Sequence, residues 1–325
     1  MRYLKLIFFL ISFVEAFGSY FDEYFSLNTH VKLKKSFNIV DIAVDKNNNL
    51  FILDLGEKNI KKYSQHGELL KVIGREGEGP GEFIYPRCIS ITNDEMCVGD
   101  LFTHRISFFT VEGIFIKSVI CKGITSIAKI IASKNQLLVS GLKHGDTLYP
   151  GYFLHFYTRE GEPKKSFFPL EYQITKIDAL FTLALYAPFD IDSDGNIYTS
   201  WIYRYKLHKF LPNGELARIF PIPKNYISPP HPYPNPLNRD KYEKWLSKWH
   251  QVLKVIVVKD YILVFLRVHE PNEFRIDIYN KEGNLIHENV LTDLELLGKD
   301  PSGNLYFKGR LGEDFTELEI YKLKL

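Results

Sequence analysis

The chain is poor in cysteine, methionine and tryptophan, with three, two and three of each in 325 residues. Cys88, Cys97 and Cys121 form no C-x-x-C pair, which leaves zinc-ribbon and thioredoxin-type sites without support. An odd count leaves at least one thiol unpaired. Cys88 and Cys97 flank a tight turn and would sit diagonally on paired strands. That register permits a disulfide but favours small buried apolar side chains.

Charge of one sign is also missing. Lys and Arg total 41, Asp and Glu 39, for a net charge of +2, so nothing electrostatic points to nucleic acid. No Gly-x-Ser-x-Gly occurs, so serine-hydrolase chemistry has no support. No apolar run reaches the ~20 residues needed to span a bilayer.

The apolar stretch at the start, "LIFFLISFV", is nine residues long. It follows the basic "MRYLK" and precedes "EAFGS", whose Ala16 and Gly18 suit cleavage after Gly18. This is a secretory signal pattern over residues 1–18, with no cysteine after it to carry a lipid. The expected product is exported to a periplasm or the medium, with no membrane attachment after cleavage.

Apolar residues make up 45 % of the chain and aromatic ones 15 %, enough for a large core. Tyr, Phe and β-branched residues predominate, which favours strands. Two signatures recur. The first is a glycine turn: "SQHGELL", "TVEGIFI", "TREGEPK", "LPNGELA" and "NKEGNLI", marked by Gly67, Gly113, Gly161, Gly214 and Gly283. Spacings are 46, 48, 53 and 69 residues, the last lengthened by an insertion. Such turns demand positive φ, which glycine adopts without penalty. The second is a polar turn between apolar runs, as in "IAVDKNNNLFILD", "ISITNDEMCVGD", "IIASKNQLLVS", "FDIDSDGNIYTS", "VIVVKDYILVF" and "LGKDPSGNLYF".

One unit is therefore four strands. Six units of about 45 residues predict an all-β, six-bladed β-propeller of four-stranded antiparallel blades over residues 24–325. The sixth unit stops at its third strand, "TELEIYKLKL". The run "HVKLKKSFNI" (His30 to Ile39) is expected to supply the missing outer strand and close the ring. Insertions fall at 170–186 and 225–252. The second holds "YISPPHPYPNPLNRDKYEKWLSKWH", a proline run followed by a short amphipathic helix from an Asn238 cap to about His250.

"VIGREGEGPGEFIYPRCISI", "CVGD" and "HRISFFTVEG" together resemble an NHL-type propeller repeat over Val72 to Gly113. The resemblance implies a six-bladed propeller. It does not imply one activity, because such propellers include lyases, lactonases and scaffolds. The segment "REGEGPGEFIYPR" reads as a blade junction, with Phe83 and Pro86 wedged between neighbouring sheets. It lacks the Lys-Ser/Thr and following helix of a phosphate loop. "DSDGN" lacks the later ligands of a calcium loop and reads as a turn.

Loops joining the second and third strands of each blade should share a face with the inter-blade connections. They carry His104, Arg105, His144, Trp201, Tyr203, Arg204, Arg267 and His269, with Arg87 at an inner-strand start and Trp245 on the inserted helix. Arginine among aromatics suits carboxylates, sugars or peptide termini. Arg105 and its equivalents could instead only bridge blades. The expected function is an exported, monomeric binding module for a peptide, glycan or protein ligand, with no cofactor. The alternative is an NHL-like lyase or hydrolase with calcium or zinc in the central channel. By resemblance to metal-dependent propellers, its ligands would come from His104, His144 and His269, or from Asp41 and Asp190 near inner-strand starts.

Overall fold

In the computed structural model, the chain forms six four-stranded antiparallel sheets. The structure describes residues 21–34, 38–92, 95–124, 126–143, 151–169, 187–224, 226, 241, 244, 248–268, 273–311 and 315–325. A helical turn at 21–24 leads into β1 (Phe25–Lys34). Blade one is β2 (Ile39–Val44), β3 (Leu50–Asp54), β4 (Asn59–Tyr63) and β5 (Leu69–Ile73). Blade two is β6 (Pro86–Thr92), β7 (Glu95–Asp100), β8 (Arg105–Thr110) and β9 (Phe115–Ile120). Blade three is β10 (Lys129–Ala132), β11 (Leu137–Lys143), β12 (Tyr152–Tyr157) and β13 (Pro163–Pro169). Blade four is β14 (Phe189–Ile191), β15 (Ile197–Thr199), β16 (His208–Phe210) and β17 (Leu216–Ile219). Blade five is β18 (Gln251–Val258), β19 (Tyr261–Arg267), β20 (Phe274–Asn280) and β21 (Leu285–Thr292). Blade six is β22 (Glu295–Lys299), β23 (Leu305–Leu311) and β24 (Phe315–Leu323), with β1 as its outer strand.

The closing strand pairs antiparallel to β24, from Phe25 opposite Leu323 to Lys34 opposite Phe315. It begins earlier than His30, and Ile39 opens β2 instead. Burial accounts for the shift. Phe25, Val31 and Leu33 are all buried, and Phe25 packs with Phe307 in the core.

All five glycine turns have positive φ, from 76° at Gly214 to 91° at Gly283. Each also presses on the outer strand of the preceding blade. A Cβ on Gly161 would lie 2.3 Å from the Ile120 carbonyl oxygen, and one on Gly113 would strike Ile73 at 2.5 Å. In four of the five turns the residue before the glycine receives a cation from that same outer strand. Lys165 donates to the Asn213 carbonyl at 2.8 Å, Lys71 to the Glu112 carbonyl and Arg218 to the Glu282 carbonyl, while Lys117 meets Glu160 at 3.5 Å. The repeat therefore fixes blade against blade as well as strand against strand.

Three of the polar turns, at Asp45, Asp192 and Asp300, are built from aspartate. Asp45 Oδ1 accepts from the Asn47 and Asn49 amides, and its Oδ2 accepts from the Asn49 side chain. Asp192 makes the same bonds to Asp194 and Asn196, and Tyr198 adds a hydroxyl at 3.1 Å. In "DSDGN" the first carboxylate is thus engaged by its own turn. Burial raises the pKa of Asp192, but these donors outweigh it and leave the group below its ordinary value.

Apolar clusters fill the spaces between blades. Phe83 is buried among Ile73, Ile89, Met96 and Phe109, between blades one and two, and Pro86 is buried beside it. Cys88, Cys97 and Cys121 are free and lie in the cluster between blades two and three. Cys88 pairs with Gly99 and Cys97 with Ser90, which is the diagonal register.

Candidate functional site: the central channel

The inner strands β2, β6, β10, β14, β18 and β22 surround a cavity of about 310 Å³ that all six blades line. Four of these strands carry a β-bulge near their start. Register shifts leave Val40, Arg87, Leu253 and Leu297 without a partner residue on the second strand. All four line the channel. A bulge bends its strand and re-aims one side chain. Here it brings an arginine to the channel in blade two and half-buried apolar residues in blades one and five, while Leu297 of blade six stays packed in the inter-blade core.

Charged residues from every blade line the same space: Asp41, Arg87, Lys129, Asp190, Lys254 and Lys299. The carboxylates are held by the fold. Asp41 accepts from the Ile89 amide at 3.0 Å, tying blade one to blade two. Asp190 accepts from the Val257 amide at 2.8 Å, tying blade four to blade five, and from its neighbour's amide at Ile191. Lys299 completes Asp190 with an ion pair at 2.7 Å and donates to the Val257 carbonyl. A third carboxylate at the channel wall, Asp300, accepts from its own turn at Asn304 and from Tyr306.

The remaining cations differ. Lys129, the first residue of β10, has its ammonium over the Phe189 ring at 5.5 Å. Among the described residues, the Lys129 and Lys254 ammoniums make no hydrogen bond or ion pair. Burial lowers the pKa of Lys254. Asp41 and Glu295 oppose that shift, and Lys129 and Arg87 add to it. Lys254, Lys129 and Arg87 therefore sit within electrostatic reach of one another, and Asp41 and Glu295 act on Lys254 in the opposite sense.

The middle loops of blades one and two are held by hydrogen bonds. Asp54 and Asp100, the last residues of β3 and β7, cap them. Asp54 accepts from the Gly56 and Glu57 amides and pairs with buried Lys61. Asp100 accepts from Phe102 and Thr103 with one oxygen and from Ile84 and Tyr85 with the other. His104 closes its loop at φ 55°, as Lys58 does at 51° in blade one, and its carbonyl receives the Cys121 amide. Arg105 reaches back to the glycine-rich segment and donates to the Glu78 carbonyl at 2.8 Å. That segment has its own bonds: Phe83 amide to Arg75 carbonyl, and Glu82 to Arg75 and the Gly79 amide.

The sequence-derived candidates thus separate. Arg87 is in the channel. Arg105 and His104 are built into the loop. Trp201 and Tyr203 are buried in the core; Trp201 stacks on Phe168 at 4.4 Å and meets His208 edge-on. Arg204 is half-buried in the bend that follows Trp201, and Arg267 ends β19 exposed. His144, Trp245 and His269 lie outside the described residues, as do residues 1–18 and 170–186. So does most of the 225–252 insertion, where Lys241 and Lys244 are helical. Among the described residues, no three His, Cys, Asp or Glu side chains converge as a metal site would require. Lys129, Lys254 and Lys299 did not stand out in the sequence. A lysine in a short apolar strand reads as a solvent-facing residue, and only the ring closure brings these together.

A family model described as DUF5128, a 6-bladed beta-propeller, matches residues 11–140. The chain is similar in fold to a Bacteroides fragilis protein described as exported (TM-score 0.66, 14 % identity, 94 % of this chain and 96 % of that one). A member of the DUF4221 family from Bacteroides vulgatus is similar at TM-score 0.63 and 10 % identity, over 93 % of this chain and 99 % of that one. The chain is a six-bladed β-propeller. A Staphylococcus aureus virginiamycin B lyase solved with quinupristin, in a catalytically inactive form, also matches, at TM-score 0.53 and 12 % identity, over 88 % and 81 % of the two chains. At these identities the likeness concerns the fold. No curated protein matches the sequence. No helix among the described residues is long and apolar enough to cross a membrane.

Proposed function

We propose that this chain is an exported binding propeller whose ligand, a peptide, glycan or protein segment, is taken at the mouth of the central channel. One observation carries the reading: a bulge in β6 places Arg87 in the channel with Lys129 and Lys254. A rigid scaffold with charged groups at a concave opening is the usual setting of a binding site. The loop residues Arg204 and Arg267 are offered as an extension of this face. The signal-like pattern over residues 1–18 and the exported description of the Bacteroides fragilis neighbour support export.

The test is binding of the purified chain to peptide and glycan arrays, repeated with Arg87→Gln and Arg267→Gln variants. The reading expects a ligand whose retention falls at least tenfold in Arg87→Gln. An array ligand indifferent to Arg87 and to the loop variant would place binding elsewhere and defeat the reading.

A further inference from the structure

We propose that the channel is a receptor site for a small organic carboxylate, gripped by Arg87, Lys129 and Lys254 with its apolar body against the aliphatic wall. This rests on the binding reading above and names the ligand chemistry. The argument begins with the acids. Asp41, Asp190 and Asp300 each accept hydrogen bonds from protein donors, so the fold already uses them. The Lys129 and Lys254 ammoniums have no oxygen partner among the described residues, though both line the cavity. A cation held out of bulk water is costly until an anion meets it. A bound carboxylate supplies that anion with two acceptor oxygens, and the guanidinium of Arg87 can take both.

The rest of the lining selects the body. The half-buried Val40, Ile91, Ile131, Ile191 and Leu253 present branched aliphatic surface beside the charges. The volume of about 310 Å³ stands at the lower end of the range of about 300–1,000 Å³ for small-molecule sites. It suits a compact acid or the last residue of a peptide, and not a folded domain. Both sources offer the same carboxylate.

The experiment uses the full mature chain at constant ionic strength. Thermal unfolding and calorimetry are run with linear mono- and dicarboxylates, with acetylated dipeptides bearing a free C-terminus, and with the amide of each. The expected result is a saturable rise in Tm with at least one carboxylate and none with its amide. Response to the dipeptide acid alone assigns a peptide C-terminus; response to the free acid alone assigns a small molecule. The Lys129→Met/Lys254→Met double variant should weaken binding at least tenfold while unfolding no earlier than the parent in ligand-free buffer.

A readout without mutation accompanies it. Acetic anhydride labelling of Lys129 and Lys254, followed by mass spectrometry, should slow when the carboxylate is present. Three results overturn the proposal: no carboxylate giving a saturable response, a response that the amides share, or labelling of both lysines unchanged by a bound carboxylate. If an array ligand depends on Arg87 while no carboxylate responds, the binding reading stands and the carboxylate assignment falls.

Discussion

The carbonyl oxygen of Lys32 stands 2.5 Å from where a Cβ on Gly67 would be. Lys32 is on the closing strand β1 and Gly67 in the first glycine turn, so this contact joins blade six to blade one. The same contact recurs between Ile120 and Gly161. It makes glycine necessary twice, for backbone angle and for space.

Gly67→Ala and Gly161→Ala should each be strongly destabilising. Positive φ alone costs about 1–3 kcal/mol for a residue with a side chain, and displacement of a neighbouring backbone adds to it. Gly195→Ala is the control. Its φ is 81°, but the nearest atom would be a Pro212 ring carbon at 3.3 Å. Urea unfolding should rank it clearly milder than the other two.

Arg105→Ala should release the glycine-rich segment. Loss of the bond to the Glu78 carbonyl costs at most about 1.5–3 kcal/mol, the range for a charged donor, reduced by partial exposure. Hydrogen exchange at Gly77 and Phe83, whose amides are bonded within the segment, should accelerate. Amides of blade five should not change.

Asp190→Ala should cost more than Asp190→Asn. The alanine takes the acceptor from the Val257 amide and the ion pair from Lys299, which keeps only its bond to the Val257 carbonyl; breaking a fully buried pair costs about 3–5 kcal/mol, less here because Lys299 is 28 % exposed. Asparagine keeps an acceptor for Val257. Equal Tm losses in the two variants would refute the cross-blade role of the carboxylate.

The three thiols should resist iodoacetamide until the chain is denatured. Burial pushes Cys97 and Cys121 up to about 12, and Cys88 well above its usual value. The native state therefore binds protons that the unfolded state releases above about 8.5. Stability should fall as pH rises from about 8.5 toward 12, by up to about 1.4 kcal/mol per unit for each thiol. Cys→Ser variants, followed by chemical denaturation across that window, check the slope.

Much of this architecture is legible from short segments because propeller turns are local. Asp45, Asp192 and Asp300 bond within four residues or so of themselves, and each glycine turn declares its φ by its glycine. The channel was less legible. Asp41 and Asp190 drew attention as inner-strand acids, yet their amide partners, Ile89 and Val257, lie 48 and 67 residues away. Trp201 and Tyr203 look like rim residues in "WIYRY". The bend after β15 turns them into the core against Phe168 instead.

The outer strand of blade six is β1, while its other three strands are the last of the chain. During synthesis, blades one to five can form in order, but the ring has an open seam until residue 323 is available to pair with Phe25. Closure is therefore the last pairing to become possible and the one with the largest loop to gather.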